Sequence, residues 1–560
     1  MKPKAAFASL LTLLPLSSFG QGAADSTLPS PPPEPRIRER VVESDSSTRG
    51  AVKAADDQEL LPALLGIAIA PDSDTALALQ SRMKHGVLIE GFSDAETAAL
   101  REAAAAFLDK PVSLKSLDRM TSRLEAALRS QGRMFMRISF PDQEITSGLV
   151  ALRISPARAG QVLMAGKPGF GAKFAANAFR TRPGELISGD VVLDDLDWLN
   201  ENPLRRASIA YGDGATDDTL DLTMRLTASK PWRVYGGIDN QLSENLGDER
   251  VFIGYQHGDL FSLDHRFTGQ YTSALEFDRL QGVSGSYEIP LPTRHLLDIS
   301  AGYTESESDV VGPLDQSGEF SRLGLSYRMP LPRFRSTGHE WRLGMEFRNN
   351  DYLFPNGSNA TVKFFQIETG WNAKRIDRFG TTRLDASLLY SPGQGILGSE
   401  DEDFIALGAS GAESLIFRLD AERTWKLGDA GMLLGRFRGQ VADSDLLSSD
   451  QIYTGGANRV RGFDETVGYA SNGMFASIEM RSRSFHAGRA GDWLAVAFVD
   501  GAVLDRDYPS FPGELLSTGM GLRWRLSDHL SAKADLGIPL TYPDDEDGDP
   551  LLHFAVSKTW

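Results

Sequence analysis

From Pro231 onward, apolar and polar residues alternate with a period of two almost to the end of the chain. Leu516, Thr518, Met520, Leu522, Trp524 and Leu526 alternate with Ser517, Gly519, Gly521, Arg523 and Arg525. Ala476, Ile478 and Met480 alternate with Ser477, Glu479 and Arg481, and Leu384, Ala386, Leu388 and Tyr390 with Arg383, Asp385 and Ser387. Successive side chains of a strand point to opposite faces, so each segment carries one apolar face and one charged face. A membrane barrel with a polar interior has this signature, weak in one strand and strong when repeated. A soluble sandwich with its apolar face turned inward has it too. About sixteen strands are predicted, an even number as expected of such barrels. They begin near Arg233, Arg250, Leu263, Leu280, Arg294, Phe320, His339, Val362, Thr381, Leu415, Met432, Met474, Leu494, Leu515, His529 and Leu551. Short turns at 290–293, 428–431 and 527–528 alternate with long loops at 306–317, 391–413 and 443–473. Short turns belong on the periplasmic side and long loops outside.

Upstream the period changes. Residues 85–156 read as strand, two helices and two strands, and residues 157–229 repeat that order. In the first block Val87-Leu88-Ile89 is strand-like, and Ser93 with Glu96 forms a capping box. Ser113 caps a helix whose Leu114, Leu117, Leu124 and Leu128 share a face and which Gly132 ends. In the second, helices are expected over 172–179 and 188–200 and strands over 207–211 and 219–226. Residues 21–84 read as a Pro-rich linker that includes a candidate plug or short-strand segment, with Gly66-Ile67-Ala68-Ile69-Ala70 as the strand candidate.

The N-terminus adds a compartment. Lys2 and Lys4, an apolar stretch from Ala5 to Leu16, and the small residues Ser17, Ser18 and Gly20 read as a signal peptide over 1–20. No run approaches the roughly 18 apolar residues of a spanning helix. The net charge of −18 argues against nucleic acid as a partner. The absence of cysteine excludes thiol catalysis and Cys-based metal sites.

No catalytic set emerges, and no cofactor or metal is expected. The 8 histidines form no His-Glu-x-x-His. Gly282-Val283-Ser284-Gly285 lacks nucleophile-elbow spacing. Gly166-Lys167-Pro168-Gly169-Phe170-Gly171 lacks the Lys-Ser/Thr ending of a phosphate loop. The acidic run 544–549 lacks the distal Glu of a calcium loop and reads as solvated. What stands out is Val460-Arg461-Gly462-Phe463, an arginine beside a glycine hinge with aliphatic and aromatic anchors, in the long loop 443–473. That pattern suits a loop folded back into a barrel whose tip meets an acid on the wall.

This loop motif resembles that of the BamA-like outer-membrane superfamily, and more narrowly of its two-partner-secretion transporters, the TpsB family that includes FhaC and ShlB. Pro141, Gln143 and Gly148 resemble the end of that family's first POTRA module. Asn202-Pro203-Leu204-Arg205, with its core of Asn202, Pro203 and Arg205, resembles the second-module signature. Asp239-Asn240 looks like the start of the TpsB barrel. The resemblance implies a β-rich membrane protein: a 16-stranded antiparallel transmembrane β-barrel over 230–560, preceded by two periplasmic α/β POTRA modules over 85–156 and 157–229. It implies that Arg461 pairs with Asp500 on the thirteenth strand, in Phe498-Val499-Asp500-Gly501, where Gly501 comes one place earlier than in the family pattern. The pair would be a latch or a fold-stabilising brace. The end of the chain, with Phe554, Val556 and Trp560, resembles the aromatic last strand that outer-membrane assembly machinery recognises.

The function implied is translocation of one large secreted partner protein from periplasm to cell surface, recognised through the POTRA modules, with no enzymatic activity. Outer-membrane lipids and the barrel assembly machinery are the other expected partners. A barrel insertase of the BamA or TamA kind is the alternative, and a barrel enzyme or simple porin a third class.

Overall fold

The structure is a computed structural model that describes residues 42–44 and 59–560, apart from 166–169, 217, 229, 309–316, 335–336, 354–358, 394–396, 399, 466, 506–512 and 542–547. The expected signal peptide, most of the linker and most of the acidic run 544–549 lie outside the described residues. So do Gly166-Lys167-Pro168-Gly169. The chain divides into two compact units, one holding residues 38–229 and one the strands from 230 to the end.

In the first unit, the first module begins before the expected residue 85. Gly66–Ala70 is an interior strand of a four-stranded sheet, paired in parallel with both Gly86–Ile89 and Leu149–Pro156. All five of its residues are buried. A continuous apolar run is what a strand covered on both faces looks like, and it has no alternation to announce it. Helix Ser73–Arg82, capped by the Asp72 side chain, packs on this strand. The expected linker over 21–84 is therefore shorter than the sequence suggested. The other first-module helices are Asp94–Ala105 and Leu114–Ser130, each with a complete capping box. Their caps satisfy N–H groups that a helix start leaves without partners. Leu124, Leu128 and Met120 reach the core, whereas Leu114 is half exposed. The Arg133 guanidinium, 2.7 Å from Glu96, holds the carboxyl of that capping residue down to about 2.

The second module has Arg158–Ala165, helices Ala172–Ala178 and Gly189–Asn200, then Arg205–Asp213 and Thr219–Ala228. Its core is built on Ile209, Leu222, Met224, Leu196 and Leu199. The two modules share that core, because Phe135 of the first packs edge-on against Tyr211 of the second with ring centroids 5.2 Å apart. Arg129 donates to the Tyr211 hydroxyl at 2.5 Å.

The second unit is a closed antiparallel barrel. Its 16 long strands run from Trp232–Asp239 to Leu551–Thr559, and the two-residue strand Phe485–His486 supplements the thirteenth, Asp492–Leu504. Each strand pairs with its sequence neighbour, and the last closes on the first from Ala555↔Asp239 to Thr559↔Tyr235. Closure leaves no sheet edge, the condition for backbone to cross lipid as strands. Ile478, Met520, Leu522 and Leu388 project outward and are exposed, while Ser477, Glu479, Asp385 and Ser387 are buried on the other face. Seven of the 8 tryptophans (Trp232, Trp341, Trp371, Trp425, Trp493, Trp524 and Trp560) lie on the barrel and are partly exposed. They sit towards the short-turn ends of their strands, as the aromatic girdle of an outer-membrane barrel does. No described helix is long and apolar enough to cross a membrane.

Candidate functional site

The long connection between the eleventh strand, Met432–Ala442, and the twelfth, Gly473–Arg481, turns into the barrel. Its residues from Leu446 to Tyr453 and from Val460 to Phe463 are almost all buried, although they form only short helical turns and a two-residue strand. A segment this irregular is tolerated at membrane depth only where protein surrounds it. Inside the loop, Glu465 accepts from Ala457 N at 2.9 Å and from Arg459 at 3.4 Å, which closes the turn that presents Arg461.

Arg461 is 1% exposed. It grips Asp500 with two parallel hydrogen bonds, Nε to Oδ2 at 2.7 Å and Nη2 to Oδ1 at 2.9 Å, while its backbone N–H donates to Oδ2 at 3.2 Å. A planar guanidinium fits one carboxylate in this two-pronged way, and Lys could not reproduce it. The seat extends beyond the single acid that sequence pointed to. Nη1 donates to Glu479 of the twelfth strand at 2.6 Å and lies 3.8 Å from Asp535 of the fifteenth. The guanidinium also stacks 3.4 Å from the Phe498 ring centre. Arg523 and Arg481 share the same acids, at 2.6 Å to Asp535 and 2.5 Å to Glu479. Val460 and Phe463 enter an apolar cluster with Phe475, Ala502 and Leu515.

Gly462 has φ +94°, and a Cβ there would come within 2.8 Å of the Gly537 carbonyl carbon. A Cβ on Gly537 would in turn overlap Gly462 N. The loop tip and the fifteenth strand therefore meet backbone to backbone, which two glycines permit. Gly462 N–H donates to His553 Nε2 of the last strand at 3.0 Å. Gly501, expected as part of the wall site, is not in it: an added Cβ would make only ordinary contact, at 3.5 Å from Leu515 O and Leu516 Cδ1.

A second contact pins the loop through the opposite charge. Asp450 accepts from Arg348 of the seventh strand at 3.0 Å, and its backbone carbonyl accepts from Arg418 at 3.0 Å and Gln440 at 2.8 Å. Near the barrel's closing seam, loop Asn458 donates to Gln241 at 2.9 Å. Gln241 also accepts from Arg250, which pairs with Asp239 at 2.9 Å. Asn240 clasps the last strand, donating to Leu552 O and accepting from Phe554 N, both at 2.7 Å. Phe554, Val556 and Trp560 lie on the outer face, and Trp560 N–H donates to Val234 O of the first strand at 2.9 Å.

Residues 219–524, more than half of the chain, match the family of haemolysin secretion/activation proteins ShlB/FhaC/HecB, and residues 84–157 match the ShlB-type POTRA domain. The chain belongs to the ShlB/FhaC/HecB family. It is 24% identical over 398 residues to the outer membrane transporter CdiB-2 of Burkholderia pseudomallei strain 1026b, covering 68% of this chain and 67% of that one. It is 22% identical over 511 residues to the outer membrane transporter CdiB of Escherichia coli O6:K15:H31, covering 82% and 79%. Among solved structures, CdiB from Escherichia coli aligns with TM-score 0.65 at 17% identity, over 89% of this chain and 91% of that one. This ShlB-type protein is thus an outer-membrane transporter that secretes a partner protein, with its POTRA modules in the periplasm. Family membership favours secretion over the insertase alternative.

In the transporter's modules, the signature residues serve as braces. Gln143 accepts from Ala151 N at 2.6 Å and donates to Ala151 O at 2.8 Å, so a side chain replaces a neighbouring strand's backbone. It also accepts from Gln80 at 3.0 Å and donates to Pro141 O at 3.1 Å. Gly148, at φ +75°, would place a Cβ 3.0 Å from Ala63 O. Asn202 is buried and accepts from Leu204 N at 3.1 Å across Pro203. Arg205 is 1% exposed, donates twice to the Leu199 carbonyl at the end of helix Gly189–Asn200, and stacks on Phe174. Among the described residues no group of acids and histidines is arranged to hold a metal ion.

Proposed function

We propose that this transporter exports one large partner of haemolysin or adhesin type as an unfolded chain, with the loop over 443–473 acting as a latch that leaves the lumen during passage. The observation that supports this reading is the seat of Arg461. The loop is held by side-chain pairs and a glycine-to-glycine contact on several strands of the wall, an arrangement that can open and re-form without unfolding the barrel. An ionic seat is selective in geometry and, once one partner leaves, strongly unfavourable to keep dry. Cargo recognition falls to the second module, where an extended segment can add to a sheet edge at Ala207–Tyr211. Folding of the cargo outside gives the process direction. The outward apolar residues Phe554, Val556 and Trp560 suit recognition by the barrel assembly machinery and contact with outer-membrane lipid.

Surface and released proteins are compared in the parent strain, a deletion strain and an Arg461→Ala strain with equal barrel level. Loss of one large protein in both mutants is the expected result. Broad loss of many outer-membrane barrels would move the assignment to an insertase, and an unchanged exported set would remove both readings.

A further inference from the structure

The edge of the second module is already occupied. Val42–Ser44, a stretch of the Pro-rich and charged linker, forms a three-residue strand in parallel with Arg205–Asp213. The register is Val42↔Ile209, Glu43↔Ala210 and Ser44↔Tyr211. The sheet order is Val42–Ser44, Arg205–Asp213, Thr219–Ala228 and Arg158–Ala165, so without the linker Arg205–Asp213 would be an open edge. The chain therefore passes the second module before it builds the first, which starts its sheet at Gly66–Ala70.

Two features make this a contact poised to exchange. Among the described residues it covers 3 residues of a strand that has 9, whereas on its other side that strand pairs along its whole length, from Arg205↔Ala228 to Asp213↔Leu220. The linker sequence around it, Arg36-Ile37-Arg38-Glu39-Arg40-Val41-Val42-Glu43-Ser44-Asp45, is rich in charge, the composition of a segment that stays soluble when it is not paired. An edge strand offers a row of backbone N–H and C=O groups to any extended segment, with little demand on its side chains.

We infer that the linker strand Val42–Ser44 is a resident occupant that keeps the cargo-docking edge of the second module closed, and that an extended segment of the exported protein displaces it. The identity of the displacing chain rests on the export reading; the occupancy of the edge does not. An occupied edge lowers apparent affinity by the fraction of molecules in which it is open, so weak or short segments fail and longer ones that pair along more of Arg205–Asp213 succeed. Spurious strand addition between copies is suppressed by the same contact.

The test uses the full chain in detergent micelles and, as probe, a fluorescent peptide of residues 37–48 of this protein. Successive strand residues alternate in aiming their N–H groups at a given neighbour, so a Val42→Pro/Glu43→Pro chain loses a linker donor whichever way the strand faces. This variant is expected to bind the peptide about tenfold more tightly than the parent, the shift for an edge filled in roughly nine-tenths of molecules. It is also expected to exchange the amides of Ile209, Ala210 and Tyr211 faster. A peptide carrying the same two prolines should not bind. As a complement, Glu43→Cys/Ala210→Cys creates the only cysteine pair in a chain that has none. Neighbouring strands lie about 4.7–4.9 Å apart, within disulfide reach. Oxidation should lock the linker and abolish peptide binding, and reduction should restore the parent's affinity. Equal peptide affinity and equal exchange in parent and proline variant, or failure of the cysteines to cross-link, would overturn the inference. Because the probe is the chain's own peptide, that outcome would leave the export reading standing. Conversely, loss of the export reading in the secretion comparison would leave the peptide result intact.

Discussion

The lumenal loop is held at two places with opposite polarity, and they are not equivalent. At Arg461 a loop cation enters a pocket of wall acids on the twelfth, thirteenth and fifteenth strands, with a ring beneath it and a glycine beside it. At Asp450 a loop anion meets wall arginines on the seventh and tenth strands. The difference lies in what remains when the loop residue is cut back. Asp500 is fully buried, and the hydrogen bonds it accepts among the described residues come from Arg461. Arg348 keeps Glu346 as a partner, and the bonds from Arg418 and Gln440 go to the Asp450 backbone carbonyl, which any residue supplies. Without its side chain the first contact keeps a single backbone N–H and loses its countercharge; the second keeps two bonds to its carbonyl and a second acid on Arg348. A cargo-released latch needs its decisive contact concentrated in this way.

This contrast orders the expected effects. Arg461→Ala leaves the dry Asp500 carboxylate with the backbone N–H of residue 461 but without the loop's countercharge, and is expected to destabilise the seated loop by about 3–5 kcal/mol. It is read as labelling of an Ala457→Cys thiol, buried in the seated loop, by a membrane-impermeant maleimide in intact cells, rising from protected to reactive as the loop unseats. Asp450→Ala removes one charged hydrogen bond but keeps its carbonyl contacts, and is expected to cost about 1.5–3 kcal/mol in the same assay. If it matched Arg461→Ala, the asymmetry would be gone. Gly537→Ala leaves every charge in place but pushes a methyl into Gly462 N, which is expected to cost about 1–3 kcal/mol as overpacking does. Its effect separates backbone fit from ion pairing. Gly501→Ala is the control: there is ordinary room for its methyl, so a change within about 0.5 kcal/mol is expected.

The sequence was most legible where a local pattern and a structural demand coincide. Period-two alternation marked the strands because each has one lipid-facing side, and the long loop followed from the spacing of strands eleven and twelve. Arg461 was visible because an arginine between a buried aliphatic residue and a glycine hinge is unusual in a loop. Glu479 was visible only as one charge on a polar face, and Asp535, Gly537 and His553 not at all as parts of a seat. Three-dimensional closure brings the twelfth, fifteenth and sixteenth strands to one point, and no local spacing encodes that. Gly66–Ala70 was hard to place because a strand buried on both faces lacks alternation. Val42–Ser44 was hidden in a linker because edge pairing is made by backbone and asks almost nothing of side-chain type.

The central claim is that the loop must leave its seat for cargo to pass. Asn458 and Gln241 touch through their side chains at 2.9 Å, and the chain has no native cysteine. An Asn458→Cys/Gln241→Cys chain can therefore be bridged by a short bis-methanethiosulfonate cross-linker, which spans the length of the lost side chains, and opened by reductant in living cells, with release of the large exported protein as the readout. The account predicts that export falls at least about tenfold when the bond is closed. It should recover on reduction, with barrel level constant and both single-cysteine strains exporting normally. Full export through a population whose loop is completely cross-linked would contradict it.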